Sequence, residues 1–223
     1  PPTAPPTAIS NTQFLLNFTN AGIYDATSKN DLETVGNAQI STTQSKFGGS
    51  SMYFDGTGDA VWAVDRPLLD IGNEDFTIEA WVYITGAASF QTLICKGVGY
   101  DNQASYRINV DGGVWRYYLS GDGATWSIAS NVSMGNSAGL NTWQHIALVR
   151  YGNTFTPYVN GIAGTKTTSS TALFNSNKPV TVGSDDLPSS LTLQGYVQDV
   201  RITKGIARYT SNFTPPTTAF LTL

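Results

Sequence analysis

Histidine and cysteine each occur once in the 223-residue chain, as His145 and Cys95. One thiol cannot close an intrachain disulfide, and one histidine with one cysteine cannot supply the soft ligands of a zinc site. Cys95 lies in the short apolar run Thr92-Leu-Ile-Cys-Lys96, which predicts a buried small hydrophobe. Charge is also scarce: 13% of the residues are Asp, Glu, Lys or Arg, against roughly 25% in typical soluble domains. The net charge of −4 comes from scattered residues with no basic cluster, which argues against a nucleic-acid partner. No apolar run approaches the roughly 20 residues that a bilayer-spanning helix needs, so membrane insertion is not expected. No segment holds a sustained 3.6-residue apolar period, so long helices are not expected either.

What fills the chain is Gly, Ser, Thr and Asn, and between them short runs of alternating apolar residues. Strands are predicted at residues 13–18, 50–54, 60–64, 76–84, 92–96, 105–110, 114–119, 126–132, 144–150, 155–160, 180–183 and 193–202. Turn signals separate them, including Asp55-Gly-Thr-Gly-Asp59, Asp111-Gly-Gly113 and Asn160-Gly161. Residues 20–37 read as a polar loop. Many short strands punctuated by glycine predict a double-layered or closed β architecture, and a chain of this length suffices for one such domain. In residues 76–84, Phe76, Ile78, Ala80, Val82 and Ile84 share one face, and Thr77, Glu79, Trp81 and Tyr83 the other. Both faces are apolar, so alternation alone does not say which points inward. The opening Pro1-Pro-Thr-Ala-Pro-Pro-Thr-Ala8 has the composition of an extended spacer. Residues 1–12 are therefore read as a linker from an upstream module, and residues 13–223 as the folded domain.

Four stretches carry a resemblance to a known family. They are Lys46-Phe-Gly-Gly-Ser-Ser-Met-Tyr-Phe-Asp-Gly-Thr-Gly-Asp59, Asp75-Phe-Thr-Ile-Glu-Ala-Trp-Val82, Trp143-Gln-His-Ile-Ala-Leu-Val-Arg150, and Gly195-Tyr-Val-Gln-Asp-Val-Arg-Ile-Thr-Lys-Gly-Ile-Ala-Arg-Tyr209 followed by Phe213-Thr-Pro-Pro216. In this order they resemble laminin G-like and pentraxin-like domains, relatives of the concanavalin A sandwich. The resemblance implies an all-β jelly-roll sandwich of two antiparallel sheets. The wording of residues 201–209 is similar to domains of bacteriophage tail and virion proteins, which implies display on a virion or other extracellular surface.

That superfamily also contains glycoside hydrolases, whose chemistry needs two carboxyl groups flanking the scissile bond. Glu33, Glu74 and Glu79 are the only glutamates, and none forms the Glu-x-Asp-x-x-Glu strand pattern of the β-glucanases. His145 shares a strand face with Trp143, Ala147 and Val149, which predicts a packed histidine rather than a catalytic base. No enzymatic activity is expected. The expected function is recognition, with carbohydrate as the ligand class. The alternative is a structural or decoration role, with other copies or other structural proteins of a particle as partners.

Calcium is the one cofactor the resemblance implies. Acidic loop residues capable of oxygen ligation are Asp55 with Asp59, Asp101 with Asn102, Asp122, and Asp185 with Asp186. In pentraxins an Asp-Asn pair before a middle strand meets acidic residues after a late strand. Carried onto this chain, that places the metal on Asp101, Asn102, Asp185 and Asp186, with ligand contacts from these residues and from Tyr100 and Gln103. Many laminin G-like relatives have Asp where this chain has Gln198. Aromatic residues are a second source of sugar contacts: Trp115, Tyr117, Tyr118 and Trp126 cluster in the middle hairpin, and alternation assigns about half of them to the core.

Overall fold

The computed structural model describes residues 11–19, 22–87, 90–98, 101–185 and 191–220. The first half contains β1 (Thr12–Leu16), β2 (Leu32–Val35), β3 (Gln39–Ser41), β4 (Ser51–Asp55), β5 (Ala60–Ala63), β6 (Phe76–Ile84), β7 (Phe90–Lys96) and β8 (Tyr106–Asp111). The second contains β9 (Val114–Leu119), β10 (Ala129–Ser137), β11 (Trp143–Tyr151), β12 (Thr154–Val159), β13 (Ile162–Ala163), β14 (Thr167–Thr168), β15 (Val180–Val182) and β16 (Gln194–Lys204). A single 3-10 turn spans Pro67–Leu69.

Among the described residues the strands form two antiparallel sheets, the sandwich expected from the sequence. One has nine strands and runs β13-β12-β11-β6-β16-β4-β3, with β1 added to β16 and β14 to β12. The other has seven and runs β10-β9-β8-β7-β15-β5-β2. Side chains of the two inner faces fill the space between them. Phe76, Ile78, Ala80, Val82 and Ile84 of β6 meet Tyr106, Ile108 and Val110 of β8 and Trp115, Tyr117 and Leu119 of β9. The second face of β6 is buried as well, because the chain after β16 folds back across the outside of the nine-stranded sheet. Tyr209 and Phe213 pack there on Ala147, Val149 and Tyr158, and Phe220 joins Leu15 and Trp81.

The Gln198-Asp199 pair makes this possible. The register of β16 against β6 shifts between Gln198 and Arg201, and Asp199 takes a left-handed φ of 53°. Before the bulge β16 pairs with β4, and after it with β1. Asp199 accepts hydrogen bonds from Asn17 Nδ2 at 2.8 Å and the Phe220 amide at 2.7 Å. Gln198 accepts from the Lys46 and Phe47 amides at 2.8 and 3.1 Å and donates Nε2 to the Phe47 carbonyl at 2.7 Å. Two bulge residues therefore fasten three distant segments onto one strand.

Candidate functional site

The only histidine and the best-placed glutamate lie sealed beneath the C-terminal segment. Glu79 is 1% exposed and His145 0%. Glu79 Oε1 accepts from Arg201 Nε at 2.9 Å and Nη2 at 2.7 Å, and Arg208 Nε lies 3.2 Å away. Its Oε2 faces His145 Nε2 at 3.1 Å and accepts from the Tyr209 hydroxyl at 2.8 Å. Burial pushes the Glu79 carboxyl up, but the His145 hydrogen bond and the Arg201, His145 and Arg208 charges outweigh it and hold it down at about 2. Above these groups the rings of Tyr209 and Phe213 stack 3.6 Å apart. A saccharide cannot reach either side chain without lifting this cover.

The expected rim residues divide among separate contacts. Tyr100 and Asp186 lie outside the described residues. Asp101 forms an ion pair with Lys178 at 2.6 Å and caps its own loop by accepting from the Gln103 amide at 3.1 Å. Gln103 Oε1 accepts from the Asn177 amide at 3.0 Å, and Asn102 is exposed at a φ of 59°. Asp185 is 5% exposed and faces Arg107 Nη1 at 3.5 Å. Register explains the division. Val180 lies opposite Lys96 and Val182 opposite Ile94, so β15 starts where β7 leaves for the Asp101 loop and then runs away from it. The Asp101 loop thus meets the residues before β15, whereas Asp185 follows that strand. With Asp101 paired to Lys178, and Asp185 on another loop turned towards Arg107, the described residues do not bring these carboxylates onto one calcium ion. Among the described residues no three His, Cys, Asp or Glu side chains are grouped to hold a metal ion.

The other acidic loops are occupied by turn formation. Asp122 accepts from the Thr125 amide and hydroxyl, Ser120 Oγ and the Ala124 amide. Those bonds, led by the Thr125 amide, hold its carboxyl at about 2. Asp59 accepts from the Asn37 and Asp55 amides, and Asp55 from the Thr57 amide. A cleft of about 390 Å³ opens beside Tyr24 and Asp31. Its remaining carboxylate, Asp25, is turned inward onto the amides of Leu15, Thr27 and Asn30.

A different constellation stands on the outer face of the seven-stranded sheet. Thr181, Cys95, Arg107 and Tyr118 are register neighbours across β15, β7, β8 and β9. Their sequence neighbours Val180, Val182, Ile94, Tyr106, Ile108, Tyr117 and Leu119 all belong to the core, so alternation turns this row outward. The Arg107 guanidinium lies 4.3 Å from the Tyr118 ring centroid, 5.1 Å from Phe90 and 5.2 Å from Trp126. Tyr118 and Trp126 pack edge-to-face at 5.5 Å. The Tyr118 hydroxyl donates to Asn131 Oδ1 at 2.8 Å. Burial pushes that hydroxyl's pKa up, against the pull of Arg107. Phe90, Arg107 and Trp126 remain half-buried. Ring surface beside a guanidinium and a carboxylate suits a ligand with alternating apolar patches and hydroxyls.

Trp126, Tyr118 and Asp185 were singled out by the sequence; Arg107 and Phe90 were not. A signal for Arg107 existed. The Gly112-Gly113 turn closes a hairpin in which Asp111 faces Val114. Counting back along both strands brings Arg107 opposite Tyr118.

The chain belongs to the laminin G-like family of the concanavalin A-like lectin/glucanases superfamily, whose model matches residues 55–206. No curated protein matches it in sequence. Among solved structures it is similar to domain 4 of AbnA, an extracellular arabinanase from Geobacillus stearothermophilus, in complex with arabinotriose. That likeness has a TM-score of 0.70 at 16% identity and covers 88% of this chain and 94% of the other. The binding domain of Paraclostridial Mosquitocidal Protein 1 gives 0.68 at 15%, covering 87% of this chain and 49% of that one. A structure of botulinum neurotoxin type C, whose cell entry depends on interaction with two ganglioside molecules, gives 0.64 at 13%, covering 88% and 49%. The chain thus spans about half the length of the two toxin structures. At these identities the likeness establishes the fold.

Proposed function

We propose that this domain is a non-catalytic carbohydrate-recognition module that binds saccharide on the outer face of its seven-stranded sheet. The C-terminal segment covers the other outer face over Glu79 and His145, while Tyr53, Tyr83 and Trp143 of that face stay half-buried. The observation that carries the reading is a guanidinium held among rings on the seven-stranded sheet: half-buried Phe90, Arg107 and Trp126 stand beside Tyr118 and Asp185. Rings of this kind stack on the apolar faces of sugars, while the guanidinium and carboxylate serve as donor and acceptor to hydroxyls. The arabinotriose held by the similar arabinanase domain and the gangliosides of the neurotoxin support a sugar ligand. Of the residues expected at the rim, this reading retains Asp185 and moves the ligand from the loop to the sheet. Display on the surface of a virion or other extracellular particle is part of the same proposal, supported by the resemblance of residues 201–209 to such proteins.

Arrayed neutral and acidic glycans probed with a multimerised domain test this reading. Binding to at least one class is expected, with loss of most of it in Trp126→Ala. The control is Tyr151→Ala, a residue 62% exposed at the end of β11 on the other sheet, which should bind as the unaltered domain does. A domain that binds no glycan, or whose binding survives Trp126→Ala, would overturn it.

A further inference from the structure

The hydrogen bonding of Arg107 differs from that of Arg201 and Arg150. A guanidinium carries five N–H donors in a planar fork. Arg201 places two of them on Glu79 at 2.9 and 2.7 Å, and Arg150 places two on the carbonyls of Gly152 and Gly72 at 2.9 and 3.1 Å. Among the described residues the hydrogen bond that Arg107 donates is Nη1 to Asp185 at 3.5 Å, at the outer limit of a hydrogen bond, beside its interaction with the Tyr118 hydroxyl. Its Nε is buried with no partner among the described residues. Three rings hold the group in place, so its direction is set while its donors go mostly unused. The side chain keeps 11% of its surface in solvent, an opening on the same face as Trp126. The neighbouring cation, Arg116, is spent on Asp111 at 3.8 Å and on the Asn131 carbonyl at 3.1 Å.

Resting on the proposed saccharide site, we infer that Arg107 is a specificity-determining residue that reads the carboxylate of an acidic sugar. A pre-oriented planar fork with unused donors matches a carboxylate better than it matches single hydroxyls, because charge-assisted bidentate pairing is the stronger interaction. The net charge of −4 repels polyanions at long range, so the ligand is a saccharide carrying an isolated carboxylate rather than a polyuronate. Asp185 is the opposing charge at the site. Its weak contact with Nη1 yields to the ligand, and its presence limits affinity.

The test uses the intact domain with sialyllactose and glucuronoxylan oligosaccharides, each compared with its carboxyl-methyl ester, which keeps the sugar and removes the charge. The free acids should bind about tenfold or more tighter than their esters, as expected for a hydrogen bond to a charged group. Arg107→Met keeps a side chain between the rings and should abolish that preference in a domain that circular dichroism shows still folded, with some loss of melting temperature because Asp185 loses its counter-charge. Asp185→Asn should tighten binding of the acids, whereas a site built to bridge neutral hydroxyls between Asp185 and Arg107 would weaken. Equal binding of acid and ester, a preference that survives Arg107→Met, or weaker binding of the acids by Asp185→Asn overturns the inference while leaving saccharide recognition intact. Failure to bind any acid, ester or neutral glycan overturns the recognition reading itself.

Discussion

Asp199 and Glu79 sit close in one covered region, yet their carboxyls are driven in opposite directions. Burial pushes Asp199 up to about 6 from 3.8, against the Asn17 and Phe220 hydrogen bonds. Glu79 is held at about 2 from 4.5 because its cations and His145 outweigh its burial. A raised carboxylate binds its proton more tightly in the native state. Its contribution is therefore complete below about pH 3.8 and is lost as pH climbs towards 6. The lowered carboxylate contributes above about pH 4.5 and loses that contribution as pH falls towards 2. Stability should peak near pH 4 to 5. Thermal melts across pH 2 to 8 are the measurement, and Asp199→Asn should flatten the decline between pH 4 and 6, worth on the order of 3 kcal/mol, while leaving the acid limb in place. An unaltered decline in that variant would assign it to another group.

At the level of elements, β16 and the segment after it organise the fold, and a glycine fixes where that segment lands. Gly161 has a φ of +77°, and a Cβ there would sit 1.9 Å from the Phe213 carbonyl oxygen. The Phe213 amide also donates to the Gly161 carbonyl at 3.0 Å. Gly161→Ala is expected to destabilise by more than about 1 kcal/mol, since the left-handed backbone and the close approach are both lost. Urea unfolding should show it, with faster proteolysis after residue 205. Wild-type behaviour would mean that the segment can shift freely. The hairpin of β8 and β9 and the alternation of β6 were legible in the sequence, because two-residue periodicity and a Gly-Gly turn are local signals. Strand β2 was hidden inside the polar loop 20–37, and β3 in the unassigned stretch after it. They are edge strands paired through backbone to β5 and β4, and Leu32 and Ile40, which they pack on the core, are too few to make an apolar period. The strand expected from Trp126 begins instead at Ala129, which leaves the Trp126 ring free to turn onto Arg107. Sequence also hid the burial of both faces of β6, since cover from residues 209–220 depends on a bulge two hundred positions from the start of the chain. The separation of Asp101 from Asp185 was not legible for a related reason: resemblance supplies residue types, while strand direction decides which end of β15 faces the Asp101 loop.

For the whole molecule the consequence is a sandwich whose C-terminal segment covers part of one outer face, with the proposed ligand site on the other. Among the described residues no helix is long and apolar enough to cross a membrane, so membrane contact through such a helix is not part of the reading. At the proposed site Phe90, Trp126 and the edge of Tyr118 would meet the ligand, and Arg107 already covers part of each ring. A sugar docking there exchanges hydrogen bonds with water for bonds with protein, at about 1 kcal/mol net for each neutral pair. A few such bonds and one stacking contact amount to a weak single site. Attachment to a cell or particle would then depend on several copies acting together, where linkage raises avidity by roughly 10²–10⁴ without any new contact. Surface plasmon resonance on a glycan-coated chip should therefore show the isolated domain dissociating within seconds, and a tetramerised domain persisting through the wash. Trp126→Ala should abolish persistence of the tetramer although each copy retains its fold by circular dichroism. Slow dissociation of the single domain would show that the sheet face buries far more of its ligand than the half-exposed rings allow.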